Sequence, residues 1–171
     1  MDAKTQLDQF HKISDEQWDR YRQLLPKSDD TSLVVLKGHL IIEEMLYAIA
    51  QEHCADPESL VKAKLTFSQL LYVVRAVVKL PIGDSCWEAI NLLNGIRNSL
   101  IHNLEPKELE SRLHALQGMC ELKDEPLPPK YVKPTEPARI AESCICFIIG
   151  QLQVIGIVAA FIERNLQFPK E

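Results

Sequence analysis

Glycine is scarce in this chain, with six in 171 residues, and alternating runs of β-branched residues are scarcer. Both shortages argue against a sheet protein, whereas the many stretches with apolar residues three and four apart favour helices. A Walker loop, a dinucleotide fingerprint and a Ser/His/Asp set are all missing, which sets aside the enzyme classes built on them. The five cysteines, at 54, 86, 120, 144 and 146, form no CxxC pair and follow no signal peptide. That usage fits a reduced, cytoplasmic protein. Cys144 and Cys146 fall about 200° apart on a helix and the five histidines are scattered, so no metal site is expected, and no cofactor either.

Positive charge is also in short supply. The formal net charge is −5, which excludes a strongly basic nucleic-acid binder, since phosphate contacts need Lys and Arg to displace counterions. The distribution is uneven. Residues 60–112 carry seven basic side chains against five acidic ones, leaving the rest of the chain at −7. This is the pattern of a solvated face or of a modest positive site on an acidic body.

What the chain has in quantity is apolar residues, 46% of the total, enough at this length for one sizeable core. The expectation is a single all-α domain over 1–171, an antiparallel bundle of about six to seven helices, with residues 1–13 loose. "SDEQ" at Ser14–Gln17 offers a capping box for a helix to about Leu25, and "DDTS" opens a second from about Ser32 to His53. Pro57 starts a short helix, and "TFSQ" at Thr66–Gln69 caps one ending near Leu80. "SCWE" at Ser85–Glu88 caps the next, which ends around Asn103. "LEPKELE" begins another, with Pro106 near its first turn, running to about Cys120. The proline-rich stretch 122–137 reads as a surface crossing, and the last helix spans about Ala138 to Leu166.

Two helices are apolar nearly all round. Only Lys37, His39, Glu43 and Glu44 interrupt Leu33–Ala50, which suits a central helix. Ser143–Ile162 carries no charge over a length that spans a bilayer. Two mid-depth glutamines and the soluble patterning of its neighbours favour a buried or dimer-forming helix over a membrane one.

The stretch "NGIRNSLIHN", residues 94–103, is the least ordinary. With Ile96 at zero and about 100° per residue, the apolar side chains of this helix fall between about −40° and +140°, and Arg97 falls inside that arc at about 100°. Asn91, Asn94, Asn98 and His102 form a polar stripe at about 160° to 240°, facing water or a groove. A guanidinium withdrawn from water needs a carboxylate, a phosphate or an edge to reach. Two readings follow. In the structural one, Arg97 makes a buried salt bridge to Glu43 or Glu44 and His102 caps the helix end. In the functional one, Arg97, the Asn98 amide and the His102 imidazole meet in a cleft, within one chain or across two. Those groups suit metal-free RNA cleavage, an imidazole to move the 2′-hydroxyl or leaving-group proton and a guanidinium to hold the crowded phosphate. His39 and Glu43, four apart on the central helix, would line the same cleft as a supporting pair.

"IRNSLIH", Ile96–His102, resembles the Rx4–6H signature of the HEPN superfamily (higher eukaryotes and prokaryotes nucleotide-binding), in which a polar residue, often Asn, follows the Arg. The resemblance covers about residues 32–120. It implies a small helical bundle that dimerises to set two motifs side by side, and a metal-independent endoribonuclease of toxin, anti-phage or RNA-processing type. Arg97, Asn98 and His102 then take the motif positions, RNA is the substrate, and a nucleotidyltransferase-type antitoxin is the partner of the toxin form. The superfamily also holds bundles without cleavage activity, so a non-catalytic regulatory or partner-binding protein is the alternative. "KAKLTFSQLLYVVRAVV" followed by the Arg/Asn/His helix is similar in layout to the mannitol operon repressor family of helical proteins. A nucleotide-binding regulator with Arg97 as phosphate hook is a third reading.

Overall fold

The computed structural model describes residues 15–78, 84–121 and 132–165, with side chains up to 158. The expected loose segment 1–13, the Ser14 cap and most of the proline-rich crossing lie outside these residues. Among the described residues there are seven helices and no strand. They are α1 (15–24), α2 (Thr31–His53), α3 (Pro57–Lys62), α4 (Phe67–Val77), α5 (Asp84–His102), α6 (Leu109–Met119) and α7 (Pro137–Asn165).

Local chemistry sets most of the helix starts. Asp30 caps α2 by accepting from the Leu33 N–H at 3.1 Å, and Asp56 does the same for α3 with Ser59, Pro57 standing in its first turn. The capping box expected at "TFSQ" is formed. Thr66 Oγ1 accepts from the Gln69 N–H at 3.4 Å, and Gln69 Oε1 accepts from the Thr66 N–H at 2.9 Å.

Two starts differ from the sequence reading. Helix α5 is already under way at Asp84, so Ser85 is inside its first turn and is no cap. The Asp84 carboxylate there takes Arg75 Nη2 at 3.3 Å and adds negative charge where a helix N-terminus favours it. Helix α6 starts at Leu109, three residues after Pro106. Glu108 has a non-helical φ of −114° and ψ of 15°, and Leu109 donates to Pro106 O, closing a separate turn first. Helix α4 ends at Val77, short of the expected Leu80, because Val78 turns to extended backbone (φ −81°, ψ 112°).

Helix α2 is the hub, packing against α3, α4, α5 and α7, with α1 tied on by an exposed Arg20–Glu44 ion pair of 2.6 Å. Against α7 the seam is dry. Val34, Val35, Ile41, Ile42 and Leu46 are buried on α2, and Ile145, Ile148, Ile149 and Leu152 on α7. Gly38 lets the two backbones close: a Cβ there would stand 2.8 Å from Ile145 Cγ1 and nearer still to Cδ1. Helix α7 is long and apolar enough over 137–158 to cross a membrane, yet half of that stretch is buried in the bundle. Its buried residues recur three and four apart, the spacing of a core stripe.

Helix α6 lies against α5 and α7. The segment leading to α7 is held at the far end of α6, where Gln117 Nε2 donates to Pro134 O at 3.0 Å and Lys133 pairs with Glu121. Nearby, Cys120 Sγ lies 4.0 Å from Cys144 O. The Cys144 thiol and burial push the Cys120 thiol well above the usual range, and burial raises that of Cys86 to about 11. Such thiols remain protonated and are poor nucleophiles.

Candidate functional site

The polar side chains of α5 separate into two environments. Asn94, expected in the outward stripe, is buried between α2 and α4. Its place at the edge of the apolar arc explains this, since α2 and α4 together cover a wider arc than one neighbour would. The cost of burying an amide is met by partners on both sides. His39 Nε2–H donates to Asn94 Oδ1 at 3.1 Å, and Asn94 Nδ2 donates to Ser68 Oγ at 3.3 Å. The bond to Asn94 fixes the imidazole tautomer with its hydrogen on Nε2. Phe67, the first residue of α4, covers the ring with a centroid separation of 4.2 Å.

His39 is therefore a buried, hydrogen-bonded histidine, and burial is the main cause that lowers its pKa below the ordinary 6.5. The Asn94 bond opposes that shift, and the positive charge of Arg97 adds to it. A neutral imidazole here is no proton carrier at pH 7; what it does is hold Asn94 and the α2–α5 spacing.

Arg97 is half-buried. Its Nη1 donates to Asn98 Oδ1 at 2.9 Å, and among the described residues it makes no ion pair. The structural reading of the sequence is thus corrected. Glu44 pairs with Arg20, and Glu43, half-buried on α2, makes no hydrogen bond or ion pair with Arg97. A guanidinium has five N–H donors, so four are left for a ligand. Of the supporting pair, His39 is taken up by Asn94 and Phe67, and Glu43 does not engage Arg97.

His102 is exposed at the last position of α5, and no hydrogen bond joins it to Arg97. It does not cap the helix either. Asn103 fills that role, donating both its backbone N–H and its Nδ2 to Ser99 O at 3.0 Å. Ile101 and Leu104, next to His102, are exposed apolar side chains.

No known family, curated protein or solved structure matches this chain. The site is read from its own chemistry. Among the described residues no group of three His, Cys, Asp or Glu side chains is placed to hold a metal ion.

Ser68 and Phe67 carry no site signal in the sequence, and Asn94 stands there only as a member of the outward stripe. The first two sit inside the capping box that opens α4, where the cap signal masks any second role. Asn94 was visible as one of four polar residues three or four apart on α5, and its position beside the apolar arc was the only hint of burial.

Proposed function

We propose that this protein is a HEPN-like, metal-independent endoribonuclease that works in the cytoplasm as a homodimer. The single observation that carries the reading is the Arg97 guanidinium: half-buried, held by Asn98 at 2.9 Å, with no carboxylate among the described residues paired to it. A cation kept in that state on the "IRNSLIH" helix of an all-α bundle is suited to a phosphate.

In the reaction, the RNA 2′-hydroxyl oxygen attacks the adjacent phosphorus while its proton passes to an imidazole. The P–O5′ bond breaks, the departing 5′-oxygen takes a proton, and a 2′,3′-cyclic phosphate is left. His102 is the acid or base and Arg97 stabilises the charge on the non-bridging oxygens. Two copies supply two imidazoles, one for each proton, and Ile101 and Leu104 beside His102 offer apolar contact for the second copy. A nucleotidyltransferase-type antitoxin is the partner expected of a toxin member.

Purified protein should cut RNA in EDTA and leave cyclic-phosphate ends, and Arg97→Ala and His102→Ala should each abolish cutting with helicity intact. Cutting that survives in both variants overturns the assignment. A solution mass of one chain at micromolar concentration would remove the two-copy arrangement. The exposure of His102 away from Arg97 within one chain favours a second reading, a non-catalytic helical regulator; in that case neither variant has any cleavage to lose.

A further inference from the structure

A groove of about 450 Å³ runs between α5 and α6, lined among others by Glu88, Asn91, Leu92, Asn94, Gly95 and Arg112. Arg112 is the feature that distinguishes it. Helix α6 lays this side chain across Gly95, so closely that a Cβ on Gly95 would stand 2.5 Å from Arg112 Nη2. The guanidinium is half-buried, and among the described residues it makes no side-chain hydrogen bond and no ion pair. It is thus a second positioned cation without a carboxylate partner. The exposed amide of Asn91 supplies donor and acceptor groups beside it, and Glu88 at the rim is the one negative side chain of the lining.

Two residues of the proposed cutting site, Asn98 and His102, lie on the side of α5 that faces the groove. Counting about 100° per residue, Asn91, Gly95, Asn98 and His102 lie on one stripe of α5. Gly95 and His102 are then separated by about 10 Å along the helix axis. Asn94 forms the floor at the other edge and is fixed there by His39 and Ser68.

We propose that the α5–α6 groove carries the RNA strand flanking the cut, with Arg112 holding a neighbouring phosphate as a positioning residue. The proposal rests on the ribonuclease reading for the position of the cut and adds the path of the substrate. Glycine at 95 leaves the room that the Arg112 guanidinium occupies.

Binding of a short single-stranded RNA to the full-length His102→Ala protein tests this without cleavage. Adding Arg112→Ala should weaken binding about ten-fold, the worth of one charged hydrogen-bonded contact. It should also reduce the slope of log K against log salt by about 0.7, the value for one single-strand phosphate. Arg112→Lys should restore the slope. Gly95→Ala, which displaces the guanidinium while favouring the helix, should weaken binding with folding intact. In the cleaving protein, Arg112→Ala should raise KM and leave kcat nearly unchanged, whereas Arg97→Ala removes kcat. If the parent protein binds RNA but cuts none, the ribonuclease reading fails while the salt slope still decides the groove. Unchanged affinity and slope in Arg112→Ala overturn the proposal, as does a His102→Ala protein that binds no RNA.

Discussion

The two faces of α2 solve opposite problems. Toward α7 the seam is apolar and close, with Gly38 admitting Ile145; toward α4 and α5 the apolar packing is interrupted by a hydrogen-bonded seam, with His39, Asn94 and Ser68 in series. The dry seam gains its stability from area and fit, terms that depend on volume and hardly on pH. The polar seam adds little net stability, because each bond made replaces bonds to water, yet it is expensive to leave half-made. Chemistry accordingly gathers along the second: Asn94, held by His39 and Ser68, sits three residues before the half-buried Arg97 on α5.

The largest effect expected is on the dry seam. Gly38→Val forces a branched side chain into Ile145 and should destabilise the fold by about 3 kcal/mol or more, at the upper end for overpacking; a urea midpoint close to that of the parent would show that α2 and α7 do not meet there. Ile145→Ala in the same chain should recover part of the loss. On the polar seam, Asn94→Ala strands the His39 Nε2–H and the Ser68 hydroxyl, with a loss of about 1–3 kcal/mol. If the denaturation midpoint does not move, the series of bonds is not made.

The seams should also part company with pH. His39 has its pKa lowered in the folded state, so as pH falls below the ordinary 6.5 the unfolded chain takes up the proton first. Its contribution to stability is therefore full above 6.5 and is lost as pH drops toward the lowered folded value. His39→Gln should flatten this part of a stability–pH curve measured by denaturation, and Gly38→Val should leave its shape alone. The smallest effect is on Arg97. With no ion pair to lose, Arg97→Ala should change stability by under about 1 kcal/mol, where a buried salt bridge would cost roughly 3–5. The larger loss would restore a carboxylate partner to Arg97 and set the free-cation reading aside.

The helices were legible because their periodicity and caps are local. Asp30, Asp56 and Thr66–Gln69 mark starts through hydrogen bonds that reach no more than three residues. The starts that slipped, at Ser85 and Pro106, are those where a neighbouring element takes part or where a tight turn precedes the helix. At the site, Arg97 was visible as a charge inside an apolar arc. Its freedom from Glu43 and Glu44 was not, because angles on two separate wheels do not fix how one helix is rotated against another. The burial of Asn94 and the seat of Arg112 on Gly95 depend on where α4 and α6 cross α5, and no single-helix pattern encodes a crossing.

The contact between Gly38 and Ile145 joins positions 107 residues apart in the chain. During synthesis, the oily side of α2 leaves the ribosome long before its cover exists. For that interval α2 has only the nearer helices to shelter it, and closure of this side waits on α7. A chain cut short before α7 would therefore be left with a sticky, unfinished surface, a natural target for chaperones and proteases.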